Sequence, residues 1–465
     1  MKKLVIILIV VYVAVFSYLS IRRHNAFYSS YDLANMDQAT WTTIFSNKPF
    51  SVTGNQSLVS RLNFHSDFIL VLLSPFYLIW NDVGMLLILQ SIVIGLGALA
   101  VFKISEKVLK RDWLAFLLAL VYLLNPGLEW TNMYDFHGVS MAMTFLLFMV
   151  YCAMEKKWWW YLIFGILAML TKEQVPLMVS MIGIFVFFFR NKKIGFFTFF
   201  SGFLIFGWLV FIVIPSFSET GSHWAWDWFG KRENDGLETS ILEYVKNITL
   251  SDDARNYYYM LLRPFGFLPI LGIPMVLISL PDLVINLLSH QAQMRSITMH
   301  YDSGMMVGII LSLILAFWLI EKVLNKFLPK MAKFGIVVVS VWLLYWSVKT
   351  NYYYSPLPTT PSVWKWMYQV TEVETEFNEV LKRIPTEVST ASSSEIRPHL
   401  THRLESYNLP NGLESDYIAM TLRNRIVGDN HVKDFESNLI NELNNDERYQ
   451  LIFQKGDYYL FRRNE

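Results

Sequence analysis

Apolar residues run in long blocks through the first three quarters of the chain, at 4–20, 83–102, 113–130, 138–154, 158–170, 175–189, 194–215, 305–320 and 334–348. At 1.5 Å per residue the longer ones can cross a hydrocarbon core of roughly 30 Å, so each block predicts a membrane span. A further apolar block at 264–288 contains Pro264, Pro269, Pro274 and Pro281. Because an interior proline removes a helical hydrogen bond, this block predicts a broken hairpin or two short helices. The segment 64–80 is apolar but interrupted by Pro75. It predicts a helix lying in the outer interface, since counting it as a span would reverse every later loop. The basic residues Lys2 and Lys3, and those at 103–111, 156–157, 190–193 and 322–333, then fall on one face with a cytoplasmic N-terminus. Outside remain the loop 22–82, the turns at 135–137 and 171–173, the loop 216–263, the segment 290–303 and everything after 350.

After Tyr354 the pattern turns polar, opening on Pro356, Pro358 and Pro361. Residues 360–384 have helical periodicity, 387–392 and 416–422 read as strands and 435–443 as a helix. Residues 449–454 pair with 458–462 across Lys455-Gly456-Asp457 as a hairpin. The expected fold is thus an all-α polytopic membrane bundle of about nine to eleven spans over 1–354. A soluble extracytoplasmic α/β domain follows over 355–465. The first apolar run lacks a small-x-small cleavage signal after it and is expected to remain as an anchor.

Composition narrows the function classes. With 54% hydrophobic and 17% charged residues and a mean hydropathy of +0.35, the chain is too apolar for a soluble enzyme. A net charge of +1 gives no reason to expect a nucleic-acid partner. The lone cysteine, Cys152, rules out an internal disulfide and a cysteine-built metal site.

The candidate chemistry gathers on the external side. Asp32 and Asp37 lie within Tyr31-Asp-Leu-Ala-Asn-Met-Asp-Gln-Ala-Thr-Trp41, about ten residues past the first span. Two acids there suit general-base work on a membrane-bound substrate, against the plainer roles of loop acid or helix cap. The turn Thr171-Lys172-Glu173 joins two apolar runs that each cover only about 20 Å, which draws Lys172 and Glu173 below the outer surface. Charges at that depth face a bundle interior or a wet cavity, though an ion pair tying two short helices would serve equally. Asp135 with His137, and His300 with Tyr301, are weaker candidates for substrate contact, their alternatives being turn stabilisation and interfacial anchoring. Trp224, Trp226 and Trp228 would stack on sugar or lipid, or form an aromatic belt.

These residues together resemble a family. The Tyr31–Trp41 run, Arg61-x-x-x-His65, Asn125-Pro126 before Asp135-Phe136-His137, the Thr171-Lys172-Glu173 turn, His300-Tyr301, and Pro398-His399-Leu400 with Arg403 resemble a bacterial and archaeal family of predicted membrane proteins with a domain of unknown function. That family is similar to the GT-C class of membrane glycosyltransferases, above all the protein-mannosyltransferase and aminoarabinose-transferase branch. The class uses sugars on polyprenyl phosphates and places an essential Asp in the first external loop, which implies catalysis by Asp32, with Asp37 beside it. The sequence departs from the branch at Leu33, where an acid often follows, and at His65-Ser66, where His-Pro-Pro is common.

The resemblance implies an inverting glycosyltransferase of the plasma or inner membrane. It would move a sugar from a polyprenyl-phosphate lipid to an envelope glycan, lipid or protein. Asp32 would deprotonate the acceptor hydroxyl. Arg61, Lys172, Arg263 and Arg295 are the external cations available to the leaving phosphate, and His65, Asp135, His137, Glu173, His300 and Tyr301 are expected to contact substrate. No cofactor or metal ligand set is expected, with a divalent cation the one compatible addition. The alternatives are a transporter or flippase of lipid-linked solutes and a non-catalytic envelope-binding membrane protein.

Overall fold

The computed structural model describes residues 1–229, 241–423 and 430–464 of the 465-residue chain. It opens with helix α1 (Lys2–Asn25), then α2 (Tyr31–Phe45), a small antiparallel hairpin β1 (Ser51–Thr53) and β2 (Leu58–Ser60), and α3 (Ile69–Leu73) running into a 3-10 turn at Ser74–Leu78. The bundle continues through α4 (Gly84–Leu109), α5 (Asp112–Leu123), α6 (Pro126–Met133), α7 (Gly138–Met154), α8 (Trp158–Met169), α9 (Val175–Phe189) and α10 (Lys192–Trp208). A π-helical turn joins α10 to α11 (Ile214–Phe217); α12 (Ile241–Thr249), α13 (Asp252–Leu262), α14 (Leu280–Leu288), α15 (Ser303–Phe327) and α16 (Ala332–Tyr354) complete it. Among the described residues, six helical stretches are long and apolar enough to cross a membrane, seven with the pair α5–α6 bent by 47° at the break before Pro126, and α7, α8 and α9 are shorter apolar helices beside them.

The proline-rich block folds as a hairpin. Arg263 donates to the Tyr354 hydroxyl at the end of α16 (2.7 Å), and Trp342 Nε1, three turns deeper, donates to the Gly266 carbonyl (3.0 Å). There the chain reverses through two left-handed residues, Gly266 (φ +57°) and Phe267 (φ +62°); a Cβ at 266 would lie 2.6 Å from the Trp342 ring nitrogen. The return limb climbs antiparallel to α15, with Gly272 against Ser312 and Asp282 against Gly304. Since α15 continues to Phe327, roughly 20 Å beyond Ser312, the limb starts partway down the bundle and both ends of the hairpin lie at one end of it.

The C-terminal part carries a five-stranded sheet in the order β4-β3-β5-β7-β6, from β3 (Thr390–Ser392), β4 (Ser406–Asn408), β5 (Tyr417–Thr421), β6 (Tyr449–Lys455) and β7 (Tyr458–Arg463). Strands β3, β4 and β5 are parallel, and β5, β7 and β6 antiparallel. Helices α17 (Glu372–Leu381) and α18 (Asn430–Asn445) accompany the sheet. The 360–384 segment is helical only over α17 and a 3-10 turn at Lys365–Tyr368, because Thr371 and Glu374 form a capping box that starts the helix there.

This part is seated on α2. Arg397, fully buried, donates to Asn35 Oδ1 (2.9 Å), Gln38 Oε1 (3.3 Å) and the carbonyls of Thr53 (3.3 Å) and Ser406 (2.7 Å). Asp37 receives the hydroxyls of Tyr77 and Thr401, and His402 Nε2 stands 3.2 Å from it. Burial opposes charge on both members of the last pair. Even so, the Asp37 charge raises His402, and His402 with the two hydroxyls holds Asp37 below its ordinary value. A raised histidine stabilises the fold below its unfolded pKa of about 6.5, and a lowered aspartate stabilises it above about 3.9. The pair therefore contributes most between those values and is lost as pH rises through the folded His402 pKa. Melting in detergent should show wild type losing more stability than His402→Gln between pH 6.5 and 9; equal slopes would sink the assignment.

Candidate functional site

A cavity of about 700 Å³ opens at the end of the bundle where these turns meet. Its walls come from the start of α2, the Arg61–Asp67 segment, the α6–α7 and α8–α9 turns, α10, the loop at 223–229, α14 and residues 293–301. Of the expected residues it gathers Asp32, Arg61, His65, His137, Lys172, Glu173, His300 and Tyr301, together with Trp224, Trp226 and Trp228.

Asp32 is fixed by its helix. Ser30 caps α2 by accepting from the Asp32 amide (3.4 Å), which places a carboxylate in the first turn, where the helix dipole favours it. Asp135 holds the cap in turn: it receives the Ser30 amide (2.8 Å) and hydroxyl (2.7 Å) and pairs with Arg23 at 2.5 Å. Gln90 pins that turn to α4, donating to the Asn132 and Asp135 carbonyls and accepting from the His137 amide. Asp135 adopts a left-handed backbone (φ +66°), a conformation Asp tolerates better than most residues.

The two aspartates differ in access. The Asp32 side chain is 45% exposed, whereas Asp37 is wholly enclosed. Burial would raise Asp32, but His137, whose Nε2 lies 3.6 Å away, with Arg61 and His65, outweighs it and holds the carboxyl below its ordinary value. His137 stacks on His300 at 3.7 Å. Burial, with His137 and Lys172 nearby, pushes His300 well below its ordinary value. The Nδ1 atoms of His137 and His300 have no hydrogen-bond partner among the described residues.

The cations divide similarly. Arg61 is spent on Asp67 through two guanidinium nitrogens (Nη2–Oδ2 2.8 Å, Nε–Oδ1 3.1 Å). Lys172, half-buried on the cavity wall, makes no ion pair or hydrogen bond among the described residues. Beside it Glu173 receives His65 Nδ1 (2.7 Å) and the Ser66 amide (3.2 Å), with His223 Nε2 at 3.6 Å. Burial lowers His65. It would raise Glu173, but His65, the His223 hydrogen bond and Lys172 hold that carboxyl well below its ordinary range.

Four expected residues stand away from the cavity. Asp37 joins α2 to Tyr77 and the C-terminal sheet, and Asp135 braces the α2 cap. Arg263 donates to Tyr354 and lies over the Tyr259 and Tyr354 rings. Arg295 donates to the Asn286 and Ser289 carbonyls and pairs with Asp253. Conversely His223 and Asp282, both on the wall, were not singled out by the sequence. For His223 a signal existed, since it directly precedes the Trp-x-Trp-x-Trp cluster.

The loop at 223–229 is tied across the cavity mouth: Trp224 Nε1 donates to the Phe64 carbonyl (2.7 Å) and the His290 amide to the Trp228 carbonyl (2.9 Å). Apolar side chains from Phe206, Val210, Ile285, Leu288 and Met294 line the remaining wall. The site therefore sets an open carboxylate and an unpaired ammonium at the end of an apolar chamber.

The profile of a family described as Predicted membrane protein (DUF2079) matches residues 23–460. None of the curated proteins matches the sequence. Among solved structures, the crystal structure of ArnT from Cupriavidus metallidurans bound to undecaprenyl phosphate is similar, with a TM-score of 0.52 over 98% of this chain and 97% of that one. Identity is 7%, so the likeness concerns the fold, a GT-C-like arrangement of helices with a small C-terminal sheet domain.

Proposed function

The chain belongs to the DUF2079 family of predicted membrane proteins and has a GT-C-like fold, and on that premise we propose that it is an inverting membrane glycosyltransferase using a polyprenyl-phosphate sugar. Its acceptor is a glycan, lipid or protein of the cell envelope, and the reaction takes place on the extracytoplasmic side. The observation that carries this reading is the pairing, in one cavity, of the open Asp32 carboxylate with the Lys172 ammonium, which makes no ion pair among the described residues. The similar structure was solved with a polyprenyl phosphate, a ligand that needs such a chamber: an apolar wall for the chain and a cation for the phosphate.

In this reading Asp32 takes the proton of an acceptor hydroxyl, and that oxygen forms a bond to the anomeric carbon from the face opposite the phosphate. The bond from the anomeric carbon to the phosphate oxygen breaks with its electron pair. Polyprenyl phosphate leaves as a stable anion, so no general acid is required, and Lys172 balances its charge. His137 beside Asp32 stabilises the carboxylate in its ready, ionised form. The lipid chain would lie along Phe206, Val210, Ile285 and Leu288.

Lys172→Met should raise the donor concentration needed for half-maximal transfer by tenfold or more, since a charge-assisted contact is worth about 1.5–3 kcal/mol. Transfer kinetics against donor concentration would show it, and an unchanged requirement would remove Lys172 from phosphate capture. For sidedness, in a Cys152→Ser background, single cysteines at the exposed Ser57 and Glu414 should label with an impermeant thiol reagent in intact cells, and one at Lys192 should not. The reverse pattern would invert the topology.

A further inference from the structure

We infer that His65, Glu173 and His223 form a binding site for one divalent metal ion of the zinc class. One ligand atom from each lies within 4.8 Å of the other two. The three come from separate parts of the chain, 65, 173 and 223, so the fold and not local sequence brings them together.

The spacing fits. Two ligands about 2.0–2.1 Å from a tetrahedral zinc lie roughly 3.3 Å apart. His65 Nδ1 and Glu173 Oε1, at 2.7 Å, need to part by about 0.6 Å, and His223 Nε2, at 3.6 Å from that oxygen, needs to approach by about 0.3 Å. The third edge, between the two imidazoles, lies within 4.8 Å and would close by up to about 1.5 Å, so the fit requires the rings to turn toward a common centre.

The charge fits as well. Glu173 is buried, and its partners among the described residues are two imidazoles and the Ser66 amide, with no lysine or arginine ion pair. A carboxylate out of water calls for a compensating positive charge; the neighbouring Lys172 acts on it without forming an ion pair, and neutral donors supply only partial charges. An ion held by Glu173 and two imidazoles places that charge in direct contact with the carboxylate. Two imidazoles and one carboxylate is also the donor set of zinc sites that keep a fourth position open, and it disfavours magnesium and calcium, which take oxygen shells.

The rival is a closed hydrogen-bond cluster in which both rings donate to Glu173. His223 Nδ1 accepts from the Ala225 amide at 3.1 Å, so without metal the proton sits on Nε2. Coordination through Nε2 moves it to Nδ1 and gives up that one hydrogen bond in exchange for three coordinate bonds. The ion would lie on the wall of the cavity that holds Lys172 and Asp32, with its open position available to an oxygen ligand.

The test is binding, so it stands whatever the transfer reaction proves to be. Full-length protein purified in detergent and stripped with a chelator is titrated with Zn²⁺ by calorimetry. The expected result is one ion per chain, not displaced by millimolar Mg²⁺, with His65→Ala and His223→Ala each weakening affinity tenfold or more. X-ray absorption at the zinc edge of the wild-type complex, which needs no variant, should show two imidazole ligands. A folded wild type that takes up no stoichiometric zinc, a zinc without imidazole ligands, or a folded His223→Gln of unchanged affinity would each overturn the assignment.

Discussion

Asp32→Asn is expected to reduce sugar transfer to about one per cent of wild type or less while leaving expression and melting temperature nearly unchanged. The asymmetry follows from its surroundings. The carboxylate is nearly half exposed to the cavity, so an amide of the same shape meets no packing penalty, and the α2 cap that positions it runs through Ser30 and Asp135, which the substitution does not touch. What the amide loses is the lone pair that accepts the acceptor's proton, and removing a general base costs roughly 10²–10⁴-fold. Because His137 and its neighbours hold the Asp32 carboxyl below its ordinary value, the acidic limb of the rate profile should fall below about pH 4. The enclosed Asp37 makes the contrast: its carboxylate serves Tyr77, Thr401 and His402, so Asp37→Asn should register in stability before it registers in chemistry.

Arg397→Leu should produce the largest loss of stability of any single change outside the bundle core, on the order of 3 kcal/mol or more. The guanidinium is fully buried, and four acceptors from α2, β1 and β4 converge on it. Leucine fills part of the space but leaves those acceptors dry and unpaired, at about 1–3 kcal/mol for each buried group that finds no new partner. Since Asn35 and Gln38 lie on the helix that carries Asp32, the same change should also reduce transfer in whatever protein stays folded. Melting and limited proteolysis of the 355–465 region in detergent would read the effect. A melting temperature within a degree of wild type would mean the C-terminal sheet is not what fixes α2.

The apolar blocks forecast the bundle because a lipid-facing helix must be apolar along its whole length, and the breaks at Lys2-Lys3, Arg190 and Lys322 punctuate it. The four prolines between 264 and 281 likewise gave a hairpin, though its reversal at Gly266-Phe267 depends on Trp342, far away in sequence. The tail hairpin was legible from Lys455-Gly456-Asp457, and β4 was not, being three residues long with only a parallel partner. Helix α2 itself has no apolar period, because it is buried nearly all round by polar as well as apolar neighbours. Its polar side chains Asn35, Asp37 and Gln38 look like a solvated loop until the partners 360 residues downstream are known. That is also why the family resemblance, and not the local pattern, sets Asp32 ahead of Asp37. Which faces the cavity and which is locked into the sheet domain depends on contacts the local pattern does not encode.

The most direct measurement of the central claim is mass spectrometry of the lipids that co-purify with wild type and with Asp32→Asn. The account predicts polyprenyl phosphate on the wild type, as released product, and the same lipid still carrying its sugar on the variant, which binds donor but cannot activate the acceptor. The mass difference between the two would give the mass class of the sugar. A chain that retains no polyprenyl lipid in either form, or a variant that accumulates the sugar-free phosphate as wild type does, would contradict it.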